Sequence, residues 1–181
     1  MKKYKIILAI FVALYVTYFT YFSIVRYWTL YSSYFDSRII HQTAYNTYTA
    51  IKTGNYSTFL ELTNPHGYEQ IKRMAIHNDL LLAPLSLFYF IYNGPETLLV
   101  IQTVILGCGA FVLFGIAQHV LAKVKQKHIF SLLIAVSYLF FPALQRANQY
   151  DFHAVTLTTT FLMCMYYFSL KRKYVFSYIF F

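Results

Sequence analysis

Apolar positions in this chain gather into long runs instead of alternating with polar ones. Residues 6–25 form the first run, long enough to cross a bilayer as a helix. Residues 98–121, 129–144 and 154–170 follow, and 174–181 begins another that is too short to cross. The stretch 80–92 is also apolar, but about 13 residues of helix cover only about 20 Å, and Pro84 interrupts it.

Between the first two long runs lies a mixed segment, 26–97, too long for a tight connection. In it Ile40, Ala44, Tyr48 and Ile51 recur at spacings of three and four, which predicts an amphipathic helix over 37–52 lying on the membrane surface. Thr53-Gly54-Asn55 ends that helix, and Asn64-Pro65-His66-Gly67 is a turn signal. A short helix over 68–76 and a non-spanning one over 80–92 complete the segment. The expected fold is an all-α, polytopic transmembrane bundle with interfacial helices in a large first external loop. The partial run at 174–181 suggests the amino-terminal part of a longer protein.

Composition agrees, with 59% hydrophobic and 12% charged residues placing the chain among polytopic membrane proteins. The net charge of +9 decides the topology. Lys2-Lys3-Lys5, Lys123-Lys125-Lys127 and Lys171-Arg172-Lys173 each sit beside an apolar run, whereas a nucleic-acid site needs its cations on one accessible stripe. No nucleic-acid partner is expected. If 80–92 crossed the membrane, the Lys123 cluster would be external; if it does not, all three clusters lie on the cytoplasmic side, as the positive-inside rule favours. The reading is therefore a multi-pass cell-membrane protein with a cytoplasmic amino terminus. Residues 1–25 have the basic start of a signal peptide, but the apolar run is too long and lacks an A-x-A-like site before Arg26, so the span is uncleaved. Tyr27, Trp28, Tyr31 and Tyr34 form an aromatic belt at its far end.

This topology puts all six acids, and with them any site, on the external side. Asp36 suits a general base or a ligand for a divalent cation beside a phosphorylated lipid, and equally an N-cap of the helix that follows. Asp151-Phe152-His153 places a carboxylate and an imidazole two residues apart, able to point the same way only on extended backbone; its structural alternative is again a cap. His77-Asn78-Asp79 is a similar pair, with Asp79 suited to cap the helix at Leu80. Together these two pairs could build a metal site, though no local ligand spacing supports one. Arg38 and Lys72-Arg73 are external cations, explained by binding a lipid phosphate or by a solvated loop face. The two cysteines, Cys108 and Cys164, lie in apolar runs and read as buried small hydrophobes. Gly107, Gly109 and Gly115 read as points of close helix packing. There is no Walker loop, dinucleotide-binding glycine pattern or nucleophile elbow.

The order of elements resembles a known family. Phe35-Asp36, Gln42, Asn46-Thr47, His77 ahead of 80–84, Leu98-Leu99 with Gln102, Phe141-Pro142-Ala143-Leu144-Gln145 and Asp151-Phe152-His153 together resemble the DUF2079 family of predicted membrane proteins. These in turn look similar to GT-C glycosyltransferases. That resemblance implies a GT-C-like bundle and transfer of a sugar from a polyprenyl-phosphate donor at the outer face of the membrane. It implies catalytic roles for Asp36, Asp151 and His153 and substrate-binding roles for Arg38, Gln42, Lys72, Arg73 and His77. The implied partners are the bilayer and a polyprenyl-phosphate-linked sugar. The alternative is a non-enzymatic transporter or lipid-binding membrane protein.

Overall fold

The computed structural model describes residues 1–31 and 35–180. Tyr34, one member of the expected aromatic belt, and Phe181, the last residue of the partial run, lie outside the described residues. The fold is helical, with 74% of residues in helix and 3% in strand. Helix α1 (Lys2–Trp28) and, after a long insertion, helix α4 (Glu96–Val120) are long and apolar enough to cross a membrane. The insertion holds α2 (Phe35–Thr53), strands β1 (Glu61–Thr63) and β2 (Gln70–Lys72) and the one-turn α3 (Leu82–Leu85). After α4 come α5 (Lys127–Leu139), α6 (Pro142–Tyr150), α7 (Ala154–Leu170) and α8 (Tyr174–Ile179).

Glycines set the spacing of the spanning helices. A Cβ on Gly107 would lie 2.9 Å from Val16 of α1, and one on Gly109 would lie 2.6 Å from the Tyr138 hydroxyl and 2.9 Å from Met163 and Thr160. Helices α5 and α7 therefore approach the backbone of α4 at a point where any side chain would push them off. Cys108, between these glycines, is exposed instead of buried, and Cys164 is half-buried.

The run at 129–144 is not one straight helix. Phe140 ends α5, and α6 restarts at Pro142 with its axis turned by 41°. Proline lacks an N–H and drives the residue before it out of helical geometry; Phe141 accordingly has ψ 116°.

The insertion departs from the sequence reading in two places. Residues 68–76, expected as a helix, instead contribute β2 and a single 3-10 turn at Arg73–Ala75. The turn at residues 64–67 closes a hairpin with Glu61 opposite Lys72, Leu62 opposite Ile71 and Thr63 opposite Gln70. Residues 80–92 form α3 and a 3-10 turn, Ser86–Phe90, instead of a continuous helix. That compact segment changes what α2 faces. Its stripe of Ile40, Ala44 and Tyr48 is buried against Leu82, Leu85, Tyr89, Leu98 and Phe152, so it packs on protein instead of lying on lipid. The exposed edge of β1 is closed by α2 as well. Gln42 donates from Nε2 to the Thr63 hydroxyl (3.0 Å) and accepts from the Thr63 N–H (3.2 Å), and Asn46 Nδ2 donates to the Glu61 carbonyl (2.9 Å). Thr47 accepts the Leu60 N–H at 3.0 Å.

Helix directions gather like charges. Rings of Tyr4 and His128 stack at 5.7 Å, joining the starts of α1 and α5, and Gly115 of α4 abuts Tyr167 near the end of α7. The three basic clusters thus meet at one end of the bundle. At the other end Trp28 Nε1 donates to Glu96 at 2.8 Å, joining the end of α1 to the start of α4.

If Gly109 sets this spacing, Gly109→Val should destabilise the bundle by about 1–3 kcal/mol. A clear drop in the thermal midpoint of the detergent-solubilised protein is the expected result.

Candidate functional site

Asp36 occupies the first turn of α2, where the helix dipole favours a carboxylate. His153 precedes the first turn of α7 on extended backbone (φ −136°, ψ 125°), and its side chain makes no capping hydrogen bond. The imidazole turns outward instead. Its Nε2 lies 3.5 Å from Asp36 Oδ2, with Asp36 51% and His153 29% exposed. The two residues, far apart in the chain, line a cleft of about 330 Å³ together with Ile40, Arg73, His77 and Asp79 among others.

Arg73 reaches the cleft because its backbone N–H donates to the Leu60 carbonyl at 2.7 Å, which ties the 3-10 turn to the hairpin. Its Nε donates to Asp79 Oδ2 at 2.6 Å in a mostly buried pair. Asp79 therefore binds a cation and does not cap the following helix, which has no side-chain cap. His77 is held beside them through its N–H to the Arg73 carbonyl at 3.0 Å. A groove of about 560 Å³ shares Asp79, Ala154 and Val155 with the cleft and is otherwise largely apolar, lined by Leu81, Phe161, Ile179 and Phe180 among others.

The remaining nominated residues lie elsewhere. Asp151 is buried, 2% exposed, and is not among the residues lining the cleft. Gln42 is committed to the hairpin edge. Lys72 bonds the Ser57 carbonyl and pairs with Glu61 at 3.6 Å on the hairpin, and Arg38 is exposed on α2 away from the cleft walls. Among the described residues no three of His, Cys, Asp or Glu gather closely enough to hold a metal ion.

One residue essential to the geometry had only a place in the family pattern. Gln102 of α4 is fully buried. Its Nε2 donates to the carbonyls of Asp151 (3.0 Å) and Asn148 (3.3 Å), and its Oε1 accepts the His153 N–H at 3.0 Å. Beside it the Thr103 hydroxyl donates to Asn148 Oδ1 at 3.1 Å. An amide within an otherwise apolar spanning run is itself the signal, since a polar group there needs a partner.

Residues 26–181 match a family described as predicted membrane protein (DUF2079). The chain belongs to the DUF2079 family. No curated protein and no solved structure matches it. Membership and the two apolar spanning helices make this DUF2079 protein an integral membrane protein.

Two outcomes test this geometry. Gln102→Leu strands three backbone groups, each costing about 1–3 kcal/mol when buried and unpaired, and should lower the thermal midpoint far more than Gln42→Leu at the more accessible hairpin. The second concerns His41, which bonds Tyr89 through Nδ1 at 2.9 Å and stacks on its ring. Burial lowers the His41 pKa, against a smaller opposing pull from Glu96. Protonation therefore favours the unfolded chain. The His41 contribution is complete above its unfolded value of about 6.5 and is lost as pH falls below it. His41→Phe should flatten that part of the stability profile measured between pH 8 and 5.

Proposed function

We propose that this protein is a membrane-embedded glycosyltransferase of the GT-C type, using a polyprenyl-phosphate sugar at the end of the bundle opposite the basic clusters. The observation that carries the reading is the Asp36–His153 pair in a polar cleft that shares Asp79, Ala154 and Val155 with a largely apolar groove. In the proposed reaction the Asp36 carboxylate takes the proton from an acceptor hydroxyl as that oxygen bonds the anomeric carbon. The anomeric carbon–oxygen bond to the donor phosphate breaks, and the phosphate leaves with the bonding electrons. His153, next to Asp36, orients the carboxylate and offers a path for its proton. Asp79 engages Arg73 through Nε, which leaves the terminal guanidinium nitrogens to meet the leaving phosphate, with His77 beside them. The groove along α7 suits the first isoprene units of the donor. Asp151, buried and outside the cleft lining, is given a supporting role only.

General-base chemistry of this kind contributes about 10²–10⁴-fold. The full-length protein in liposomes with radiolabelled polyprenyl-phosphate sugars should therefore transfer label, and Asp36→Asn should cut transfer by about that factor while membrane insertion is unchanged. An active Asp36→Asn protein would remove Asp36 from the chemistry, and absence of transfer with every donor would overturn the enzymatic reading.

A further inference from the structure

The basic end of the bundle has a property that the cleft does not use. The chain's six acids and six of its fifteen Lys and Arg residues lie at the cleft end and cancel there. The whole net charge of +9 therefore resides on the three basic clusters that the fold brings together. Eight of these nine side chains are exposed and Lys127 is half-buried. Among the described residues, every ion pair is at the opposite end.

Helix-end electrostatics does not account for this accumulation. Cations near the carboxyl ends of α4 and α7 are favoured by the helix dipole, but Lys2, Lys3 and Lys5 sit in the first turns of α1, and Lys127 starts α5. At those positions a cation is opposed by the dipole, and neither first turn carries an acid to offset it. Among the described residues, the charge at this end is thus uncompensated. It lies where the ends of apolar spanning helices meet a bilayer surface.

We propose that this end is a docking surface for anionic phospholipid headgroups, with lysines of the α1 start and of the loop leading into α5 contacting lipid phosphates. The partner is argued from charge complementarity and from position: a bilayer bearing anionic headgroups is the negative surface that every copy of a spanning bundle meets at this level. Each basic residue at such a surface contributes roughly a fivefold preference, so several acting together produce strong selection of anionic over zwitterionic lipid. This inference does not depend on the transferase reading.

The test uses the full-length protein in nanodiscs or detergent, titrated with phosphatidylglycerol and with phosphatidylcholine of the same acyl chains. Bound lipid is counted by native mass spectrometry. Phosphatidylglycerol should bind at least tenfold more tightly, with the preference falling steeply as salt rises. The triple variant Lys2→Gln, Lys3→Gln, Lys5→Gln and the double variant Lys123→Gln, Lys125→Gln should each reduce it several-fold. Lys52→Gln, at the cleft end, should leave it unchanged. Two variants on separate segments keep the test decisive if one fails to insert. Equal binding of the two lipids, or a preference that survives both variants, would overturn the proposal. So would stronger retention of a DNA duplex than of phosphatidylglycerol at equal phosphate concentration, which would assign the surface to another polyanion.

Discussion

The buried amide of Gln102 holds the polar end of this protein in register with its spanning helices. Its position is about 9 Å along α4 from the helix start, where water is scarce and an unmatched amide is costly. The groups that satisfy it are backbone groups released where α6 stops and α7 begins. The dependence runs both ways. The break between the helices would strand two carbonyls and an N–H without the glutamine, and the glutamine would be unpaired without the break. Irregular backbone at this depth persists because protein encloses it and answers its hydrogen bonds.

That exchange produces the extended geometry of residues 151–153. Phe152 enters the core, where it is 1% exposed, and Asp151 is buried with it, while His153 at the end of the stretch brings its imidazole beside Asp36. The other wall of the cleft is made the same way, by a second polar clamp. Gln42, Asn46 and Thr47 of α2 take the free edge of the hairpin, the hairpin's Leu60 carbonyl takes the Arg73 N–H, and Arg73 carries Asp79 into place. Leu60 adopts a positive φ of 51° in doing so, a strained conformation for a branched residue that the surrounding bonds maintain.

How far the sequence revealed this follows from the range of each interaction. The two helices long enough to span, α1 and α4, were legible because bilayer thickness demands long apolar runs, and the turn at Asn64–Gly67 because its residue types favour that conformation locally. Asp36, His153, Arg73 and His77 were legible as candidates, being polar groups close to apolar runs. The strand β2 was not, because a three-residue strand exists only through its partner and nothing in Gln70-Ile71-Lys72 names that partner. The face of α2 was misassigned for a related reason. A period of three to four marks an apolar stripe but does not say whether lipid or protein covers it, and here the folded-back segment at 82–90 does. The roles of Gln42 and Gln102 depend on long-range contacts and so had no local signature beyond an amide in unexpected company.

The two acid–base pairs of the cleft differ in a way that bears on what the site can do. Arg73 and Asp79 meet at 2.6 Å with side chains 11% and 20% exposed, a short, sheltered contact that fixes both partners. Asp36 and His153 stand 3.5 Å apart, and Asp36 is half exposed. A pair so open to solvent would attract by only about 0–1 kcal/mol even with the imidazole charged, too little to bring together residues from α2 and the start of α7. Their proximity must be imposed by the two polar clamps. A pair held close by its surroundings yet weakly bound to itself keeps its carboxylate lone pairs and ring nitrogen available to an incoming group, whereas a tight pair would have to be broken first. The scaffold thus separates two kinds of contact, a tight sheltered pair that holds shape and an open pair facing the cleft.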